Sequence, residues 1–385
     1  MNNFLNEEFN LSNYDKANLT KWSAHQEGAK MLPFWVADMD FMIAPAIKEA
    51  LLAGVKGGRL GYGNVPEELN KVVCERLDRI YGWQVQPSEI IWKMGIVPFL
   101  CIISRTFAGL GGEVVVPTPV YYHLFNAPDW GGQRTIRIPF TGQGNTLDFD
   151  WVKIESTMKK GVKIFSLCNP HNPGGIVFKE SQLNKLGDLC EKYDVLICSD
   201  EIHCDLILDE NTKHTPIASL NKKLAARTLT LMSPSKSFNL AGLGASFCVV
   251  QNKAIHQKLT IAARGILHDP PTLGYRAALA AYKSSDWWLK ELIIYLISNR
   301  DLVIDFFKDS SFFEVQVPHE ATYLAWIESK KISTDKLMDL FLKAGLCLSN
   351  GKIFDGDKYF RLNFGCHKKT LLEGLQLIKK SIAKF

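Results

Sequence analysis

The sequence predicts an α/β protein in which a large domain with a mostly parallel sheet is followed by a small α+β domain. Three observations support this prediction. Short apolar strands alternate with helical patterns from about residue 90, polar residues follow several of these strands, and one long helical pattern separates this region from the C-terminal part. Strands that are apolar throughout are typical of parallel sheets covered on both faces. At 385 residues the chain is long enough for both domains.

The predicted elements begin with an N-terminal arm, residues 1–44, that contributes to the small domain. A helix is expected from Pro45, because proline suits a first helical position, to about Gly54. In the large domain, residues 45–285, we expect strands at 113–116, 162–167, 195–198 and 228–232 and helices at 99–107 and 179–192. A helix over 286–307 opens the small domain, residues 286–385, with strands at 322–327 and 360–364 and helices at 334–344 and 368–383.

Composition argues against several classes of function. The net charge of +5 is mild and no basic block stands out, which argues against nucleic-acid binding. No apolar run is long enough to cross a bilayer, and the polar start of the chain lacks a signal-peptide pattern, so we expect a cytoplasmic protein. The nine cysteines form no C-x-x-C pair, which favours reduced thiols and no metal site.

A lysine in the segment Ser233-Pro234-Ser235-Lys236 follows one of the apolar strands. Burial at a strand end lowers the pKa of an amine and makes Lys236 a candidate nucleophile. The hydroxyls of Ser233 and Ser235 are suited to bind a phosphate. A lysine in a surface loop is the alternative interpretation.

Asp200 ends another buried strand and is followed three residues later by His203. Ligands bind beyond the carboxyl ends of strands in α/β sheets, where a carboxylate can pair with a protonated pyridine nitrogen. A helix N-cap for Asp200, and a hydrogen-bonded core histidine for His203, are the alternatives.

Two turns rich in glycine and proline also follow strands. Asn172 lies in a turn at 169–175. Its prolines and glycines are explained by a tight turn, but a tight turn does not explain why an asparagine amide is placed at the edge of the sheet. Gly95 and Ile96 precede an apolar helix, and free N–H groups at such a helix start can bind a phosphate, although many ordinary helices begin this way.

An aromatic and a guanidinium complete the candidate residues. Tyr121 follows the strand at 113–116 and could stack on a flat cofactor ring, or simply pack in the core. Arg361 lies on a strand and could bind a carboxylate through two parallel hydrogen bonds, or form a surface ion pair.

Together these motifs resemble the fold-type I pyridoxal-phosphate enzymes of the class I/II aminotransferase superfamily, from about residue 30 to the C-terminus. The segments 35–41, 61–63, 199–203 and 233–236 are similar to the cystathionine β-lyase branch, a group of carbon–sulfur lyases. The resemblance implies an aspartate aminotransferase-like fold, with pyridoxal 5′-phosphate as the cofactor.

The resemblance also implies roles for the residues that would contact the cofactor ring. Lys236 would bind the cofactor covalently and move the Cα proton of the substrate. Asp200 would pair with the ring nitrogen, Asn172 would donate to the ring oxygen with His203 close by, and Tyr121 would stack on the ring.

For the phosphate, the implied ligands are Gly95, Ile96, Ser233, Ser235 and, from the neighbouring subunit, Tyr62. Arg361, with Asn172 beside it, would bind the substrate carboxylate. Many aminotransferases carry an arginine where this sequence has Gly244, so the phosphate would rely on the helix N-terminus, the hydroxyls and Tyr62.

The implied activity is the α,β-elimination of an L-cysteine S-conjugate such as L-cystathionine, by a homodimer with shared active sites. An aminotransferase that uses the same lysine is the alternative within the family. A regulatory protein that binds pyridoxal phosphate is the alternative of another class, and the combination of lysine and aspartate argues against it.

Overall fold

The computed structural model describes Leu5, residues 17–23 and residues 31–383. The strands are β1 (Leu32–Pro33), β2 (Ile90–Met94), β3 (Glu113–Thr118), β4 (Arg134–Pro139), β5 (Ile164–Cys168), β6 (Leu196–Asp200), β7 (Thr228–Met232), β8 (Ala245–Val249), β9 (Phe313–Val315), β10 (Leu324–Ser329), β11 (Leu346–Cys347), β12 (Ser349–Asn350) and β13 (Tyr359–Asn363). The α-helices are α1 (Thr20–Ser23), α2 (Pro45–Lys56), α3 (Glu67–Tyr81), α4 (Ile96–Phe107), α5 (His123–Trp130), α6 (Trp151–Met158), α7 (Glu180–Lys192), α8 (Lys222–Ala225), α9 (Lys253–Ala263), α10 (Thr272–Ser284), α11 (Asp286–Phe307), α12 (Thr334–Lys343) and α13 (Lys368–Ile382).

The large sheet has seven strands in the order β2-β8-β7-β6-β5-β3-β4. The strand β8 runs antiparallel to its neighbours β2 and β7, whereas the pairs from β7 to β4 are parallel. The carboxyl ends of β2, β3, β5, β6 and β7 therefore meet at one edge of the sheet.

Both faces of this sheet are covered, which accounts for the apolar strands seen in the sequence. Val114 and Val116 of β3 pack with Phe99 of α4 on one face. The intervening Val115 points to the other face and packs with Leu183 of α7. Alternate residues of β3 thus enter separate cores, which is why this strand is apolar between its first and last residues.

A second sheet has four strands in the order β12-β13-β10-β9, all antiparallel. The N-terminal strand β1 pairs in parallel with β11, so residues 32–33 join the C-terminal part of the chain. The long helix α11 and the strand β7 have the predicted bounds, and each of the other predicted elements is found with one or both ends shifted by one to three residues. The division into domains at residues 44 and 285 stays a prediction.

The nine cysteines are free thiols, as the sequence predicted. Across the described part of the chain, no helix combines the length and apolar character needed to span a membrane.

A buried ion pair fastens the N-terminal segment to the protein. The Lys21 ammonium on α1 donates to Asp40 at 2.7 Å and to the Asp38 carbonyl at 3.1 Å. The two side chains of the pair are 2% and 10% exposed. Burial raises the Asp40 pKa although Lys21 acts to lower it, so desolvation of the carboxylate outweighs the attraction between the two charges.

We therefore predict that Lys21→Met lowers the free energy of unfolding by about 3–5 kcal/mol, because it leaves the buried Asp40 carboxylate unpaired. Urea unfolding would measure the change. Lys71→Met is the matched control, since its pair with Glu75 is 3.8 Å long and largely exposed, and it should cost less than about 0.5 kcal/mol. Lys21→Met combined with Asp40→Asn should cost less than Lys21→Met alone, and a larger loss in the double variant would contradict this account.

Candidate active site

The predicted site residues converge on one cavity at the carboxyl edge of the large sheet. The cavity has a volume of about 290 Å³. Its lining includes the predicted site residues Gly95, Ile96, Tyr121, Asn172, Asp200, His203, Ser233, Ser235, Lys236 and Arg361. They come from the ends of β2, β3, β5, β6 and β7 and, for Arg361, from β13 of the second sheet. Tyr62 is fully exposed and does not line the cavity of its own chain.

Lys236 presents its amine to this cavity. Its Nζ donates to the backbone carbonyl of Ala37 at 2.7 Å. Burial lowers the pKa of the ammonium, although the carboxylates of Asp38 and Asp200 act in the opposite direction. A lowered pKa is the property that a nucleophilic amine needs, so the interpretation of Lys236 as a surface-loop lysine is wrong.

Asp200 is a buried carboxylate that lacks a cation in contact with it. Its side chain accepts one hydrogen bond, from the Ile202 N–H at 3.2 Å, and no ion pair to it is formed by the described residues. The residue is 2% exposed, and burial raises its pKa to about 7. A turn and not an α-helix follows it, so the helix-cap interpretation is also wrong.

His203 and Asn172 bring polar atoms to the same cavity. The His203 Nδ1 is buried and has no hydrogen-bond partner in the part of the chain that the structure describes. Burial, with a smaller effect from the positive charges of Lys236 and Arg361, lowers the His203 pKa to about 3, so its ring is neutral. The Asn172 side-chain oxygen accepts a hydrogen bond from Arg361 at 3.0 Å.

Arg361 is a buried cation. It is 4% exposed, and its guanidinium donates to Asn172 and, at 2.7 Å, to the Trp35 carbonyl. Its Nε has no hydrogen-bond partner, and no carboxylate in residues 31–383 pairs with it. Burial lowers its pKa to about 10, which leaves it charged at neutral pH. The surface-ion-pair interpretation is therefore wrong, and the arrangement suits an incoming carboxylate.

The N-terminus of α4 and the turn after β7 form the opposite end of the cavity. Gly95 precedes α4 with a φ of +83°, and the first N–H groups of the helix have no partner within it. The Ser233 hydroxyl donates to the Ala245 carbonyl at 2.7 Å, and its oxygen accepts from the Ser235 N–H at 3.1 Å. Ser233 thus shapes the turn, and its hydroxyl oxygen lies 2.9 Å from that of Ser235, which also lines the cavity.

Gly244 explains why this chain has no arginine beside the phosphate end. Its φ is +62°, and an added Cβ would lie 2.8 Å from the Cγ of Met94. Its carbonyl also accepts the Gly95 N–H at 2.9 Å. A side chain at this position would be strained, so the cavity relies on helix N–H groups and hydroxyls for an anion.

These features fit pyridoxal phosphate. A pyridinium nitrogen would supply the cation that Asp200 lacks, and a ring oxygen would find the unpartnered Nδ1 of His203 nearby. The free N–H groups of α4 suit a phosphate, and Lys236 supplies the amine for covalent attachment. Tyr121 lines the cavity next to Asn172, whose carbonyl accepts its N–H at 2.9 Å. The individual roles stay predictions.

Some residues that hold the site had no role assigned from the sequence. The carbonyls of Trp35 and Ala37 hold Arg361 and Lys236. The Tyr323 hydroxyl also donates to the Ala37 carbonyl, at 3.1 Å. The irregular apolar segment at 35–41 was a signal that could have indicated the roles of Trp35 and Ala37. Every residue has a backbone carbonyl, however, so residue types do not show which carbonyls form contacts in the site.

The fold and the cavity agree with comparisons to known proteins. Residues 29–378 match the family of class I and II aminotransferases, and the chain belongs to this family. Cystathionine β-lyase PatB of Bacillus subtilis is 34% identical over 91% of this chain and 92% of its own length. A cystathionine β-lyase of Corynebacterium glutamicum is 30% identical over 93% and 95%. The crystal structure of cystalysin from Treponema denticola, which contains pyridoxal 5′-phosphate, matches with a TM-score of 0.92 and 31% identity, covering 97% of this chain and 98% of that one.

The raised pKa of Asp200 predicts a specific pH dependence of stability in the cofactor-free protein. Between about pH 4 and pH 7 the Asp200 carboxyl is ionised in the unfolded chain but stays protonated in the folded protein. The free energy of unfolding of the wild type therefore falls as pH rises through this range. Relative to the wild type, Asp200→Asn should gain up to about 4 kcal/mol over this range. Urea unfolding at a series of pH values would measure the difference.

Asp150→Asn is the control for this series. A hydrogen bond from the Lys153 N–H lowers the Asp150 pKa, so this variant should show no gain as pH rises. A difference between Asp200→Asn and wild type that stays constant from about pH 4 to pH 7 would contradict the burial of an ionisable carboxyl at this site.

Proposed function

We propose that this protein is a pyridoxal-phosphate-dependent carbon–sulfur β-lyase. It would cleave an L-cysteine S-conjugate, L-cystathionine being one candidate, with one molecule of water to a thiol, pyruvate and ammonia. The observation that carries the proposal is a single cavity that combines an amine with a lowered pKa, a buried carboxylate without a cation and a buried guanidinium without a carboxylate. The names of the relatives support the lyase assignment.

The first task of the site is to hold the cofactor. Lys236 would bind it covalently, Asp200 would face its ring nitrogen, and the start of α4 with Ser235 would hold its phosphate. Bound pyridoxal phosphate supplies a cationic ring that accepts the electron pair left when a proton leaves the substrate Cα. Asp200 keeps that ring cationic because a buried carboxylate is stabilised most by an adjacent positive charge.

Arg361 would fix the substrate. Its guanidinium is already held by Asn172 and the Trp35 carbonyl, so a substrate carboxylate meets a donor group with a fixed orientation. Substrate binding also places a negative charge beside a desolvated cation, which is a strong interaction in a buried site.

Lys236 would then move the proton. When it is not attached to the cofactor, its amine would act as a base whose pKa is lowered by burial. The Ala37 carbonyl, 2.7 Å from Nζ, restricts where this amine lies. Proton removal from Cα is followed by loss of the thiolate from Cβ, and a thiolate is a good leaving group because the pKa of its parent thiol is near 8.5.

Product analysis tests this function. Wild-type holoenzyme incubated with L-cystathionine should release homocysteine, pyruvate and ammonia without an added 2-oxo acid. Lys236→Ala should lower the rate at least about 1,000-fold, because it removes both the covalent anchor and the base. Borohydride reduction of the wild type should leave the cofactor on the peptide that contains Lys236.

Lys223→Ala is the matched control, because Lys223 lies on the surface in an ion pair with Glu191, and it should react as the wild type does. Amino transfer to 2-oxoglutarate, with no thiol released from any cysteine conjugate, would replace the lyase by an aminotransferase. Cofactor binding with neither reaction would favour a regulatory protein.

We further propose a cytoplasmic homodimer in which Tyr62 reaches the phosphate in the neighbouring subunit. Exposed apolar side chains precede Tyr62 in the chain: Leu52 is 59%, Val55 55% and Leu60 62% exposed. Exposed apolar residues close together in the sequence are typical of interfaces, and Tyr62 does not line the cavity described in its own chain.

Subunit mixing tests this arrangement. Tyr62→Ala and Lys236→Ala proteins, each nearly inactive alone, should regain up to about a quarter of wild-type activity when mixed, because each hybrid dimer has one intact site. The control mixes Lys236→Ala with a variant that carries both substitutions, and it should stay inactive. Proven subunit exchange without recovery would place Tyr62 outside the partner's site.

A further inference from the structure

We propose that Asp205 and Ser237 are positioning residues that hold Lys236 in place for proton transfer. This inference rests on the proposed function and extends it to two residues that do not line the cavity. Asp205 instead lines a separate cavity together with Arg76 and Asp286.

Ser237 follows Lys236 directly and is completely buried. Its hydroxyl donates to the Asp205 carboxylate at 3.2 Å. Backbone bonds within the turn run from the Phe238 N–H to the Pro234 carbonyl and from the Leu240 N–H to the Ser235 carbonyl, both 2.9 Å long. The Asn239 side chain, three residues beyond Lys236, also donates to the Met39 and Phe41 carbonyls. The bond from Ser237 is likewise a side-chain tether, one residue away from the catalytic lysine, that reaches outside the turn.

Asp205 is itself fixed by a buried ion pair. The Arg76 guanidinium donates to its other oxygen at 2.8 Å, and the two side chains are 7% and 5% exposed. Arg76 also pairs with Asp286 at the start of α11 and lies over the Tyr282 ring at 5.1 Å. Burial lowers the Arg76 pKa, but the two carboxylates outweigh it and the pKa is raised, so the guanidinium stays charged.

The hydrogen bond between Ser237 and Asp205 joins two loops that carry site residues. Asp205 belongs to the loop that follows Asp200, the last residue of β6, and that includes His203, whereas Ser237 belongs to the loop after β7. Arg76 comes from α3, outside both loops. The hydrogen bond between Ser237 and Asp205 thus fixes the loop that follows Asp200 relative to the loop that carries the amine.

The hydrogen bond between Ser237 and Asp205 would limit the direction in which the Lys236 side chain extends. A hydrogen bond to a charged group is stronger than one between neutral groups, and a buried carboxylate already paired with arginine is a rigid acceptor. Loss of this bond would let the backbone at residue 237 shift while Arg361 still binds the substrate. Because proton transfer is sensitive to displacements of about 1 Å, kcat should fall while KM stays near its wild-type value.

The test compares Ser237→Ala with wild-type holoenzyme in steady-state cleavage of L-cystathionine. We expect kcat to fall about tenfold or more and KM to change less than about twofold. The fraction of bound cofactor that borohydride fixes on Lys236, measured by mass spectrometry of the intact chain, should also fall. Asp205→Asn should lower kcat at least as much, because it removes the negative charge that accepts the Ser237 hydrogen bond while keeping the size of the side chain.

Ser104→Ala is the matched control. Its hydroxyl is also buried and bonds the Leu100 carbonyl inside α4, away from the lysine turn, so kcat should be unchanged. Ser237→Ala with wild-type kcat and wild-type cofactor attachment would overturn the proposal. So would a fall in kcat accompanied by an equal loss in Ser104→Ala, because that would mark a general effect of removing a buried hydroxyl. A wild-type enzyme that releases no thiol would instead overturn the proposed function and leave the attachment measurement to decide this inference.

Discussion

The cost of burying charge without a counter-ion is the constraint on which the site of this protein depends. Asp200 and Arg361 are both nearly inaccessible to solvent, yet neither forms an ion pair with a described residue. An isolated charge in such a place is unfavourable unless hydrogen bonds or an opposite charge compensate it. The two cores on either side of the large sheet pack around the strand that ends at Asp200, and a third core packs around the strand of Arg361, so close packing limits the movement of both groups. In the proposed function, the cofactor and the substrate would supply the opposite charges for Asp200 and Arg361.

Both sheets contribute residues to the cavity. The large sheet provides Asp200 and, through the turns after its strands, Lys236 and Asn172, whereas the small sheet provides Arg361. The contact between Asn172 and Arg361 joins the two sheets inside the cavity. In the proposed function, cofactor and substrate contacts would therefore come from both sheets, and a movement of one sheet relative to the other would change both sets of contacts at once.

Much of this arrangement could be predicted from the sequence, because parallel strands impose a simple rule. Polar residues such as Asp200 and Lys236 that directly follow apolar strands must meet at one edge of the sheet, whatever the order of the strands. The sequence could not predict the role of the Ala37 and Trp35 carbonyls, which depend on backbone position rather than residue type. Asp205 was missed for another reason, since its partner Arg76 lies 129 residues away on a helix that has no motif.

The hydrogen bond between Arg361 and the Trp35 carbonyl spans 326 residues of the chain. During translation the strands of the large sheet leave the ribosome well before β13 does, so their hydrophobic packing can begin while Arg361 has yet to be made. The carbonyl groups of residues 35–37 can contact Arg361 only after the last strand of the small sheet has been synthesised. Loop closure over such a distance is entropically unfavourable and contributes to slow folding. A nascent chain would thus have a formed hydrophobic scaffold before it has a site able to discriminate among amino acids, and substrate selection becomes possible only once synthesis is nearly complete.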